Sequence, residues 1–373
     1  MAEPFLSIRP RRCWLRFSLR TLLVIVSIVC AVAALSPLAR IYQEWVIVAQ
    51  IQARGASVVM VKKSKLSWIA EAIGAEPITY ATRVDFHSAV SDADLEATAK
   101  LQDLLAVCSE QESVAEPGLK HLLKRPNLMI LGLDSPSITD AGMDAVGQLS
   151  ALQILSLRGT TLTDAGVGRL RSLDHLKWLD LRESNVTDLE YGFLSATCHL
   201  DELWIGQSRL TDKGLEAIAR IKSLRILYLI DTKVTDAGLK HLAKNSSLRK
   251  LYVGGPGVTD QGIQEIAGLP LEELSLYQSA VTDEGMEIVS RMRTLHTVNL
   301  SGSKKIGDRG VMHLARMPRL KGLDLCESSV TVEGLQPLKG LKQLDYLFLL
   351  QTPAALEADR LRLEFPNVQI ETE

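Results

Sequence analysis

From Leu104 onward the apolar positions of this chain follow two alternating rhythms. A short stretch spaces them by two, a longer one at helical intervals, and the pair returns about every 24 residues. The copy at Leu152, LQILSLRGTTLTDAGVGRLRSLDH, is nearly restated at Leu224 as LRILYLIDTKVTDAGLKHLAKNSS. Copies start at Leu104, Leu128, Leu152, Leu176, Leu200, Leu224, Leu248, Leu271, Leu295, Leu320 and Leu344. A worn copy precedes them at Ala81 and a last fragment follows at Val368. In each, L-x-x-L-x-L predicts a strand: Leu155 and Leu157 point to one side, Ile154, Ser156 and Arg158 to the other. The T-D-x-G-L phrase that follows predicts a short helix. Thr163 is placed to cap it, and Asp164 sits in its first turn, where the helix dipole favours an anion. Val167, Leu170 and Leu173 share its apolar side.

A strand and short helix of this size cannot bury their apolar edges alone, so successive copies must stack. Period and phrase resemble those of leucine-rich repeats. The resemblance implies an α/β solenoid, a horseshoe with a parallel sheet on its concave face and short helices on its convex face. About eleven or twelve copies fill residues 81–352, and PAALEADRLRLEF replaces the T-D-x-G-L phrase in a C-terminal cap over 353–373. Two polar columns recur with the repeat. Asp140, Asp164, Asp188, Asp212, Asp236, Asp260, Asp283 and Asp308 read as helix capping rather than as a row of metal ligands. Thr160, Ser184, Ser208, Thr232, Ser279, Ser303, Ser328 and Thr352 read as turn hydroxyls bonded to the backbone of the next copy.

The N-terminal part follows a different pattern. Residues 1–20 hold Arg9, Arg11, Arg12, Arg16 and Arg20, and residues 21–39, TLLVIVSIVCAVAALSPLA, carry no charge. Nineteen residues at ~1.5 Å each match a ~30 Å hydrocarbon core. The pattern predicts a transmembrane helix over 21–39 with a basic cytoplasmic tail over 1–20 and everything after residue 40 outside the cytoplasmic membrane. A cleaved signal peptide is the alternative, and Ala31-Val32-Ala33 resembles a cleavage site. Residues 40–80 read as a juxtamembrane helix to residue 53, a strand from Ala56, and a short helix at 68–73, together capping the first copy. Of 42 Lys and Arg and 44 Asp and Glu, nine and two lie in residues 1–63. The remainder holds 33 against 42, a net of −9, which argues against nucleic-acid binding by the repeats.

FSLRTLLVIV from Phe17, the helix and Gly-containing turn after it, the W-x-x-x-x-x-G segment from Trp68 to Gly74, and the 24-residue TDAGL repeats resemble the membrane-anchored leucine-rich repeat proteins of planctomycete bacteria. The resemblance covers nearly the whole chain and implies a single-pass membrane protein carrying a binding array, without a ligand. The repeats are also similar to the cysteine-containing subclass in F-box substrate receptors of ubiquitin ligases. Here, however, Thr or Ser fills the cysteine slot, and the apolar segment stands where an F-box bundle would be.

Motif chemistry points away from catalysis. The chain contains no G-x-S-x-G, G-x-x-x-x-G-K-[ST], H-E-x-x-H or C-x-x-C, and neither cofactor nor metal is expected. Cys108 and Cys326 are nine copies apart, too far for a disulfide. What the repeat does not demand is a row of aromatics on the inner face: Trp178, Trp204, Tyr228, Tyr252 and Tyr277, in five consecutive copies. Arg158, Arg182, Asp180 and Glu202 are expected as a charged rim beside them. Such a stripe is either a packing ladder of strand-favouring residues or a contact platform, since Tyr and Trp dominate binding hot spots. The functional expectation is a non-enzymatic membrane-anchored module that binds a protein, a peptide or a stacked glycan on its concave face. A structural role in the envelope is the alternative, and an F-box-like substrate receptor a remote one.

Overall fold

A computed structural model describes residues 43–62, 79–110, 113–188 and 199–372. The apolar run at 21–39 and the short helix expected at 68–73 lie outside the described residues. Among the described residues no helix is long and apolar enough to cross a membrane.

Among the described residues one sheet of 14 strands runs along the array, with the strands side by side in sequence order. The first two, Ala56–Lys62 and Thr79–Phe86, pair antiparallel; every later pair is parallel. The register is the repeat itself, since Leu155, Leu179, Leu203, Leu227, Leu251 and Leu274 are direct neighbours. All six are buried, and each contributes about 1.5–3 kcal/mol by leaving water. One continuous core therefore runs the length of the array from Val48 to Phe365. Residues 43–53 are helical and turn at Gly55, φ +88°, into the first strand.

The Asp column is structural, but not in the way helix-dipole reasoning suggests. Each carboxylate reaches forward to the next copy. Asp212 accepts from the backbone N–H of Thr235 and from its hydroxyl, both at 2.7 Å. The same pair of bonds joins Asp140 to Thr163, Asp164 to Thr187, Asp188 to Thr211, Asp236 to Thr259, Asp260 to Thr282 and Asp308 to Thr331. Thr235 then caps its own helix, its oxygen accepting from Ala237 N. The Gly of T-D-x-G follows from this ladder: a Cβ on Gly238 would lie within 3.0 Å of the Asp212 carboxylate. At Gly307 the hydroxyl is missing and Asp283 keeps one bond, to the backbone N–H.

The hydroxyl column departs from expectation. Thr160, Ser184, Thr232 and Thr352 donate to carbonyls of their own copy, three residues back, at 2.6–2.8 Å. The residue just before each of these hydroxyls is left-handed: Gly159 at φ +67°, Glu183 at +58°, Asp231 at +59° and Gln351 at +57°. That turn lets the hydroxyl fold back under the strand it has just left. Ser303 follows a left-handed residue as well, Gly302 at φ +75°, yet it crosses to Leu276 O of the preceding copy, so the turn permits the own-copy bond without dictating it.

Candidate functional site

Strand alternation places residues 178, 202, 226, 250 and 273 in one concave column and residues 180, 204, 228, 252 and 275 in the next. Three of the aromatics therefore stand side by side on adjacent strands. The Trp204 and Tyr228 rings stack at 5.0 Å and 13°. Tyr228 and Tyr252 lie 5.6 Å apart, and Trp204 leans to 6.3 Å from Tyr252. Trp178, one column earlier, still meets Trp204 at 6.4 Å. Tyr277 does not join them. It pairs with Gly254, which carries no side chain, and its hydroxyl accepts instead from Gln278 at 3.0 Å. The stripe expected to cross five copies is a cluster of four rings with Tyr277 set apart.

Charged groups lock this cluster. Asp180, expected on an accessible rim, is 1% exposed. It holds the Arg182 guanidinium with Nε at 3.0 Å and Nη2 at 2.6 Å. Arg182 in turn lies 4.8 Å over the Trp204 ring and 5.6 Å from that of Tyr228, a cation–π arrangement. The bond to Asp180 raises the Arg182 pKa. Arg158 donates to Glu183 from Nε at 2.8 Å, and Glu202 lies 3.5 Å from the Trp204 indole nitrogen. At the other end, Glu273 accepts from the Tyr252 hydroxyl at 2.6 Å and from Lys250 at 2.7 Å. Burial, with the Glu273 bond, pushes the Tyr252 phenol pKa up. Burial also works against ionisation of Glu273, but the bonds from Lys250 and Tyr252 outweigh it and hold its carboxyl below the usual range.

On the N-terminal side the cluster opens onto a concave pocket of about 610 Å³. Arg83, Cys108, Asp134, Ile154, Ser156 and Trp178 line it beside Arg158, Arg182 and Glu183. The residue-by-residue reading missed Arg83, Cys108 and Asp134. The signal was available in the column register, which places Arg83 four strands from Trp178 in the same row and Cys108 three strands from Asp180. All three stand at variable positions in or just after the leucine phrase, so the phrase itself does not single them out. Burial raises the Asp134 carboxyl above its ordinary pKa and pushes the Cys108 thiol up to about 11. Cys108 is therefore protonated near neutral pH and poorly suited to nucleophilic attack. Among the described residues no group of three His, Cys, Asp or Glu is placed to hold a metal ion.

A sugar ring stacks on an exposed aromatic face. Here the faces of Trp204 and Tyr228 cover each other and carry Arg182. Paired charges flank the rings, Arg182 with Asp180 on one side and Lys250 with Glu273 on the other.

A leucine-rich repeat family profile matches residues 291–315. A search of curated proteins finds no match. Among solved structures, the chain is similar to an internalin from Listeria monocytogenes. Identity is 18% and TM-score 0.57, over 83% of this chain and 94% of that one. A leucine-rich repeat protein of Leptospira interrogans is matched at 19% identity and TM-score 0.42, over 78% and 89%. The ectodomain of a plant membrane receptor kinase from Arabidopsis thaliana, solved in complex with Casparian strip integrity factor 2, is matched at 17% identity and TM-score 0.47, over 79% and 42%. With the family match and the internalin likeness, the fold is that of a leucine-rich repeat solenoid.

Proposed function

We propose that this chain is a non-enzymatic binding module, held at the cytoplasmic membrane through residues 21–39, that captures a protein or peptide on its concave face. The ring cluster of Trp178, Trp204, Tyr228 and Tyr252 carries the reading, because the repeat needs no aromatic at those positions and the rings meet on the open face. Rigid Tyr and Trp side chains lose little entropy on contact and supply a large area. The paired charges beside them, Arg182 with Asp180 and Lys250 with Glu273, give register without leaving an unpaired charge under a partner. A glycan is the less favoured occupant, because the faces it would stack on are occupied.

The test is affinity capture by the full chain from its own envelope, with Trp204→Ala, Tyr228→Ala alongside. The expected result is a partner retained by the native protein and lost from the variant while both keep the same thermal unfolding. Equal recovery by both would leave the ring cluster as sheet packing and move the weight to a structural role in the envelope.

The membrane reading rests on the five arginines ahead of an uncharged run of nineteen residues. A C-terminal fusion to a reporter active only outside the cytoplasm should be active. Activity from a cytoplasm-only reporter at the same position would reverse the orientation.

A further inference from the structure

Away from the concave face, on the side where each helix returns to the next strand, two successive copies gather four arginines around one cleft. Arg291 and Arg293 come from one loop, Arg316 and Arg319 from the next. The cleft has a volume of about 650 Å³, with Ser290, Thr294 and Pro318 completing its walls. Its floor is apolar, because Met292, Met317 and Leu295 are buried beneath it in the solenoid core.

The repeat does not ask for these arginines. The buried residue three before the start of each copy is the structural one: Met292 before Leu295, Met317 before Leu320, Leu173 before Leu176 and Leu341 before Leu344. The same loops elsewhere carry Ser172 and Asp174 around Leu173 or Gly340 and Lys342 around Leu341, and where Arg220 and Lys222 flank Ile221 both are occupied, by Glu216 and by Ala219 O. A cation near a helix C-terminus is favourable, and one per loop would meet that purpose. Here there are two per loop, facing a common space. Arg291 is bonded to Glu287 at 2.5 Å. Among the described residues Arg293, Arg316 and Arg319 have no carboxylate partner, and all three are exposed. The contrast with the concave face is sharp, since Arg158 and Arg182 are paired there.

We propose that this cleft binds a phosphate ester. A carboxylate occupies one guanidinium fork, whereas a phosphate group offers enough oxygens and charge for several at once. The neutral donors nearby are already used: Thr294 Oγ1 donates to Leu271 O and Ser290 Oγ to Glu287 O. Recognition therefore falls to guanidinium groups, which favours an anion over a neutral sugar. The volume exceeds that of a phosphate, and the remaining space beside Pro318 takes the group that the phosphate esterifies. This site is separate from the ring cluster and does not depend on it.

The test titrates the full chain with glycerol 1-phosphate and with dihexanoyl phosphatidylglycerol below its micelle concentration, by calorimetry at low and high salt. At least one ester is expected to bind saturably at one equivalent, more weakly at high salt because the site is exposed. Arg293→Ala with Arg319→Ala should weaken that binding by about tenfold or more. Arg293→Lys with Arg319→Lys, which keeps the charge but loses the fork, should also weaken it. Arg220→Ala with Lys222→Ala, a basic pair on the loop of an earlier copy, should leave it unchanged. Binding of the lipid ester alone identifies a membrane headgroup as the source. Binding of glycerol 1-phosphate identifies a free phosphate ester. No saturable binding of either, or equal loss in the Arg220, Lys222 variant, overturns the proposal. Coincident circular dichroism melts keep loss of binding distinct from loss of fold.

Discussion

At the scale of single residues, the array is held in step by a forward-reaching carboxylate and the glycine that makes room for it. Asp212 accepts two bonds from Thr235, and Gly238 leaves the space its carboxylate fills. Gly238→Ala should therefore destabilise by about 1–3 kcal/mol, the usual cost of forcing atoms into a packed site, although Ala favours helix over Gly by about 1 kcal/mol. Urea unfolding reads the sign directly. A stabilised variant would mean that the ladder gives way at little cost. The sequence showed that Asp and Gly recur together and that the Asp column is structural. It did not show which copy each Asp serves, because a position in a repeat is the same whether a bond is made within one copy or between two. The hydroxyl column was misassigned for the same reason, in the opposite direction. Thr160 bonds Leu157 of its own copy, just after the left-handed turn at Gly159. Glu183 and Asp231 adopt that turn without being glycine, so composition alone does not reveal it.

At the scale of the strands, the concave face was legible in outline. Period-two alternation assigns the inner positions, and the parallel register then fixes which side chains are neighbours. That was enough to bring Trp204, Tyr228 and Tyr252 together. It was not enough to show that Asp180 is buried beneath Arg182. That burial depends on a side-chain partner rather than on spacing, whereas Gly254 beside Tyr277 is a matter of register. The C-terminal edge of the ring cluster rests on Glu273, whose pKa is lowered on folding. Such a group contributes stability above its ordinary pKa of about 4.3 and loses it as pH falls through the lower folded value. Acidification through and below pH 4 should therefore release Tyr252, read as a change in the near-ultraviolet circular dichroism of the ring cluster. Glu273→Gln should remove that part of the transition. An acid transition identical in the variant would show that the carboxylate does not hold the ring.

At the scale of the whole molecule, a stacked array with one continuous core presents two different surfaces. The convex side carries short helices such as Asp212–Ile218, with i,i+4 pairs such as Glu216 with Arg220. Exposed pairs of this kind contribute little stability and no specific contact geometry. The concave side carries the rings, the pocket beside them and the paired charges. If the chain is anchored at residues 21–39 and displayed outside, as proposed, its partner meets the aromatic cluster of the concave face. Placing a photoreactive amino acid at Tyr277, beside the ring cluster, or at Glu216 on the convex side tests this most directly, with irradiation of intact cells. The account predicts a discrete cross-linked adduct from position 277, lost when Trp204→Ala and Tyr228→Ala are added, and none from position 216. An adduct from position 216 alone, or one at position 277 that survives loss of both rings, would contradict it.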